Sequence, residues 1–129
     1  MRQDSKTIAA PAALAPCPGT PNCVSSQART KAQRVAPFAC SGNCKDTLAR
    51  LRDLVAAMPG AKVTIFTGNY LHAEFRSALL RFVDDLELLA DRNGKVIHVR
   101  SASRLGSWDL GVNRRRVESL HRQFSGSRR

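Results

Sequence analysis

The chain has 129 residues and a mass of 14.1 kDa, with 43% hydrophobic and 24% charged residues. That profile fits one globular domain and excludes a collagen-like, mucin-like or wholly disordered protein, and the apolar runs are too short to span a bilayer as a helix. The unusual quantity is charge: 21 Lys and Arg against 10 Asp and Glu give +11 at pH 7, while aromatic residues make up only 5%, with Trp108 and Tyr70 each single.

In chain order, residues 1–16 read as a disordered arm or the remnant of a longer precursor. The stretch at 8–15 (IAAPAALA) is short, weakly apolar and interrupted by Pro11, so no clear signal peptide is present. Pro16 directly before Cys17 also spoils the superficial likeness of LAPC to a lipoprotein cleavage box. Residues 17–44 form a Cys-rich loop segment holding all four cysteines: Cys17 and Cys23 in CPGTPNC, Cys40 and Cys44 in CSGNC. Gly, Pro, Asn, Ser and Thr between them are loop residues. Three readings stand side by side: one or two disulfides stapling a segment poor in apolar content, free thiols, and a four-thiolate zinc site, for which only the second pair has the usual ligand spacing. Four cysteines allow three pairings.

Periodic texture begins at residue 45. Asn43 or Ser41 can cap a helix with Leu48, Leu51, Val55 and Met58 at helical spacing, ended by Pro59-Gly60. Residues 62–66 (KVTIF) predict a strand, Gly68-Asn69 a turn, and residues 70–75 a second strand. Residues 79–90 predict a third strand, with a helix as the alternative. Asp91-Arg92-Asn93-Gly94 is a hairpin turn, since Asn-Gly readily takes positive φ. Residues 95–100 (KVIHVR) then pair back as a fourth strand, and residues 101–110 read as a loop. A second helix from Val112 or Asn113 to Phe124 buries Val117, Leu120 and Phe124. The expected fold is α+β, a two-layer sandwich in which a mostly antiparallel four-stranded sheet is flanked by two helices. The domain spans residues 17–125, with the helix–sheet–helix core at 45–125 and a basic tail at 126–129.

The charge is concentrated. Residues 1–44 carry +4, residues 45–93 are neutral, and residues 94–129 carry +7. Such a field attracts anions without specifying a fold. The densest polar cluster is Arg100, Ser101, Ser103 and Arg104, followed by Asp109, Asn113 and Arg114. Read as a strand-to-helix loop, with hydroxyls, Gly106 and free helix amides, it is a candidate anion site in which arginines supply forked donors. The competing reading is architectural: Asp109 caps the helix, and Asp84 or Asp85 pairs with Arg100 or Arg104. Adjacent strand residues point to opposite faces, so Asp84 and Asp85 do not serve one site. Glu87 shares the Asp85 face, but two carboxylates are too few for a hard cation, and no metal site is assigned.

His72 and His98 lie on different predicted strands of one sheet and His121 on the second helix; none sits in a nucleophile motif, and ordinary sheet histidines are expected. No Walker loop, G-x-G-x-x-G or zincin motif occurs, so no cofactor is expected. Arg114-Arg115-Arg116 splay around a helix turn, one of them expected to pack inward against Asp109 or Asp85. Base-reading polar side chains and stacking aromatics are missing, so specific nucleic-acid recognition is not expected beyond the salt-sensitive attraction of any strongly basic chain.

The phrases CPGTPNCVSSQ at 17–27, RFVDDLELL at 81–89 and VRSASRLGSWDLGVNRRRVESL at 99–120 resemble the domain-of-unknown-function 1499 family of bacteria and plant plastids, over about four-fifths of the chain. The family has no established activity to carry over. Its members often bear export signals or lipid anchors, so the resemblance implies oxidised cysteines and the cell envelope or another exported compartment. Cys40 and Cys44 fall outside the matching phrases. The reading that follows is a non-enzymatic accessory or ligand-binding module with an anion-attracting Arg/Ser surface. Its partner would be an anionic small molecule, a membrane surface or a protein. The alternative is a hydrolase or transferase using Asp84 or Asp85, Arg100, Ser101, Ser103 and Arg104.

Overall fold

The computed structural model describes residues 11–77, 82–106 and 110–126. In chain order they form β1 (Cys23–Ser25), a 3-10 turn at Lys31–Gln33, β2 (Phe38–Ala39), α1 (Cys44–Ala56), β3 (Ala61–Phe66), β4 (Tyr70–Arg76), β5 (Val83–Ala90), β6 (Val96–Ser103) and α2 (Val112–Gly126). The fold is α+β, and every strand pairing is antiparallel. The sheet nevertheless has six strands rather than the four expected, in the order β1-β6-β5-β4-β3 with β2 also on β6. The two extra strands come from the Cys-rich segment: β1 pairs with the C-terminal half of β6 and β2 with its N-terminal half.

Local chemistry explains the regular elements. Asn43 is the N-cap of α1, and its side-chain oxygen accepts from the Asp46 amide at 2.8 Å, filling one of the four donors a helix start leaves open. Ser41 lies outside the cap and donates its own amide to Thr47 Oγ1. After the helix, Gly60 takes φ +79°, and a Cβ there would sit 2.5 Å from the Arg76 carbonyl. Only glycine fits that approach of backbone to backbone, which starts the β3–β4 pair. The turns at Gly68-Asn69 and Asp91–Gly94 close as expected, with Thr67 N donating to Tyr70 O at 2.8 Å and Gly94 N to Asp91 O at 3.0 Å. The third strand starts at Val83 rather than at 79; residues 78–81 lie outside the described residues.

Strand alternation then sorts the side chains. Leu71, Ala73 and Phe75 of β4, Leu86 and Leu88 of β5, and Ile97 and Val99 of β6 face Leu48, Leu51 and Val55 of α1 and Val117, Leu120 and Phe124 of α2. Both helices therefore cover one face, the two-layer arrangement that a one-sided apolar sheet requires. On the other face a small cluster of Tyr70, Leu89 and Ile65 is covered by Leu14. A β-bulge between Val63 and Ile65 turns Ile65 onto that face, opposite His72.

The cysteines form two disulfides, Cys17–Cys23 and Cys40–Cys44. Their partners are separated by only 6 and 4 positions, so the loops they close are short, and chain entropy accounts for about 2 kcal/mol from each. Among the described residues, no helix is long and apolar enough to cross a membrane.

Candidate functional site

The Arg/Ser cluster is split by the sheet. The sequence reads 101–110 as a loop, but β6 runs on to Ser103, and Arg104 N still donates to Val83 O at 3.1 Å. Period-two alternation therefore sends Arg100 and Arg104 to the open face and Ser101 and Ser103 to the helix face. Asp109 lies outside the described residues.

On the helix face, Ser101 Oγ donates to Asn113 Oδ1 at 2.5 Å, and Asn113 Nδ2 donates to Ser103 Oγ at 3.0 Å and Asn22 O at 3.3 Å. Ser101 and Asn113 are fully buried. Arg116 Nη1 reaches both Asn113 Oδ1 and Asp84 Oδ2, at 3.0 and 2.8 Å, while its guanidinium lies 4.3 Å over the Phe75 ring. This network seats the first turn of α2 on β5 and β6. The inward-packing arginine expected in the triplet is thus Arg116, and its partner is Asp84 rather than the expected Asp85; Asp109 lies outside the described residues.

On the open face, Asp85 accepts from His72 Nε2 at 2.8 Å and from Arg104 Nε and Nη2 at 2.8 and 2.9 Å. Burial alone pushes the Asp85 carboxyl up, but the hydrogen bonds from His72 and Arg104 outweigh it and hold the group well below the usual carboxylate range. Arg104 also donates to Glu74 at 2.8 Å. Thr64, the residue the bulge leaves without a Cα partner, bonds His72 Nδ1 through its Oγ1. Tyr70 Oη donates to Glu87 at 2.5 Å, and burial together with that bond pushes the phenol far above its ordinary range. Arg100 lies 3.8 Å from Glu87 and its Nε is buried with no hydrogen-bond partner among the described residues. His98 shares this face but is engaged by Ser26 and Asp91, apart from His72.

Arg114, the remaining candidate, is elsewhere. Its Nη2 donates to Ala32 O at 2.5 Å and Arg34 O at 3.2 Å, holding the 31–37 segment against α2. Between them opens a groove of about 720 Å³ lined by Lys31, Arg34, Arg114 and Arg122, with Glu118 as the one carboxylate among the described lining residues and Val117 in its wall. Arg34 in turn donates to the carbonyls of Ala28 and Arg29 at 3.1 and 2.8 Å. Neutral carbonyl acceptors fix these guanidinium groups without cancelling their charge. None of the four cations makes an ion pair among the described residues. His121, also on the groove, bonds Ala36 O at 2.8 Å and stacks on Phe38 at 3.9 Å.

The sequence reading missed Lys31, Arg34 and Arg122 in this groove, and Thr64, Glu74 and Tyr70 on the open face. A usable signal existed for Arg122: it lies two i,i+4 steps after Arg114, by way of Glu118, so the three follow one ridge of the helix. Lys31 and Arg34 carry no such signal, because a fold-back of 80 positions or more brings them there.

A family model described as "Protein of unknown function (DUF1499)" matches residues 13–124. No curated protein and no solved structure matches the chain. Since the matched span runs from before Cys17 to Phe124 and so takes in the sheet and nearly all of both helices, the chain belongs to the DUF1499 family.

Proposed function

We propose that this protein is an accessory, ligand-binding module that seats an anionic ligand in the groove between residues 31–37 and α2. The observation that carries the reading is a cluster of four cations that one carboxylate among the described residues offsets only in part. On the open face Arg100 and Arg104 have carboxylates beside them, and on the helix face Arg116 has Asp84. The groove instead gathers Lys31, Arg34, Arg114 and Arg122 around one Glu118. Two of its arginines are preorganised by backbone carbonyls, which lowers the ordering cost of binding.

The test is an amide NMR titration with inorganic tripolyphosphate and, separately, citrate. Shifts are expected to concentrate at residues 31–37 and along α2 from Arg114 to Arg122, and to weaken as salt is raised. The double variant Lys31→Glu, Arg122→Glu should abolish them while its melting temperature stays near wild type, because both side chains are at the surface. Shifts spread evenly over the basic surface, or none at all, overturn the reading.

A second reading has one specific observation in its favour. The chain of bonds from Thr64 through His72 to Asp85, itself held by Arg104, has the order of hydroxyl, base and orienting carboxylate used in acyl transfer. It replaces Ser101 and Ser103, whose hydroxyls are tied up inside, as the source of a nucleophile for a hydrolase. Hydrolysis of p-nitrophenyl acetate that disappears in Thr64→Ala but persists in Thr64→Ser is the result expected from it. Equal rates in all three proteins reject it.

A further inference from the structure

The two disulfides sit in different electrostatic surroundings. Cys23 belongs to a strand, is almost wholly buried and pairs with Ala102 of β6. Cys44 is the first residue of the 13-residue helix α1, where backbone amides point outward and favour negative charge. Each disulfide joins a buried cysteine, Cys23 or Cys44, to a half-buried one, Cys17 or Cys40, so the helix start at Cys44 rather than exposure sets them apart; Cys40 precedes that helix by 4 positions.

The segment bridged by Cys40 and Cys44 is also fixed by bonds that do not involve sulfur. Cys40 N donates to Lys95 O at 3.0 Å, Ser41 N to Thr47 Oγ1 at 3.2 Å, and Asp46 N to Asn43 Oδ1 at 2.8 Å. Val96 O lies 3.9 Å from Cys44 Sγ, so a reduced, protonated Cys44 has an acceptor in place. Opening this disulfide therefore leaves β2 on β6 and the cap of α1 intact.

We propose that Cys40–Cys44 is an exchangeable disulfide that oxidises a peptide or protein dithiol. A substrate thiolate attacks Cys40 Sγ, forming a substrate–Cys40 bond and breaking the bond to Cys44. The electron pair leaves on Cys44 Sγ as a thiolate, which the amino end of α1 stabilises. The second thiolate of the substrate then attacks its own sulfur in the mixed disulfide, closing the substrate disulfide and releasing Cys40 as a thiolate. Two electrons pass to Cys40 and Cys44, and the two protons given up by the substrate thiols balance those the cysteines take from solvent. The leaving-group argument fixes the direction of attack, because the thiol of lower pKa leaves faster.

The test uses the full, oxidised chain without denaturant. It is exposed to reduced dithiothreitol, quenched with iodoacetamide at intervals and read by peptide mass spectrometry alongside far-ultraviolet circular dichroism. Cys40 and Cys44 are expected to be alkylated roughly tenfold or more faster than Cys17 and Cys23, with the dichroism unchanged. Reduced glutathione, a monothiol that cannot close its own disulfide, should be trapped on Cys40 with Cys44 alkylated. A Cys17→Ser, Cys23→Ser variant should keep the fast phase. The proposal is overturned by equal rates for the two disulfides, by a fast phase that tracks loss of helical signal, or by glutathione trapped on Cys44.

Discussion

Two arginine–aspartate pairs on opposite sides of one sheet look alike in distance and differ in everything else. Arg116–Asp84 and Arg104–Asp85 both close at 2.8 Å, and the two aspartates are neighbours in sequence. On the helix face the side chains of the first pair are 14% and 11% exposed, and the arginine also lies over Phe75 and binds Asn113. On the open face those of the second are 45% and 25% exposed, and the arginine is shared with Glu74. A buried charge stripped of its partner cannot turn to water, whereas an exposed one can. Distance alone therefore does not rank them; the face each occupies does.

The sharpest way to break this comparison is Arg116→Ala, which leaves Asp84 buried against an apolar layer. It is expected to cost about 3–5 kcal/mol, read by urea unfolding at neutral pH. Asn113→Ala should cost less, about 1–3 kcal/mol, since it strands the hydroxyls of Ser101 and Ser103 without leaving a bare charge. Arg104→Ala should cost about 1 kcal/mol or less at neutral pH. If Arg104→Ala proves as costly as Arg116→Ala, the contrast between the faces is wrong.

Acid unfolding sharpens the point. Asp85 has its folded pKa depressed, so its contribution is present above the ordinary carboxylate value of 3.8 and fades as the pH falls toward the folded value. Removing Arg104 takes away part of that depression. The Arg104→Ala variant should therefore lose less stability than wild type between about pH 4 and pH 2. A steeper acid limb in the variant would contradict the assigned role of Arg104.

The regular part of this arrangement was legible because it is written locally. Asn43 three positions before Asp46, Pro59-Gly60 after a helical stripe, and Asn93-Gly94 between two apolar runs each fix an element within a few residues. Strands β1 and β2 were not legible. Three and two residues among Cys, Pro and Gly carry no periodicity, and they become strands only by pairing with β6. The site suffered most from one boundary. Ser101-Ala102-Ser103 reads as a loop, but it is strand, and moving that boundary by three residues deals adjacent polar side chains to opposite faces. The groove could not be read at all, because Lys31 and Arg122 meet only through the tertiary fold.

The uneven treatment of the two sheet edges has a consequence for self-association. The outer edge of β6 is occupied along its length by two short strands, so it offers little to a second chain. Strand β3 is the terminal strand on the other side, and among the described residues no strand pairs with its outer edge. It is interrupted by the bulge at Val63 and Ile65 and carries exposed Lys62, both features that discourage a neighbouring strand from docking in register. Fibrillar aggregation of this protein, if forced, should begin at β3, and Lys62 would act there as its gatekeeper.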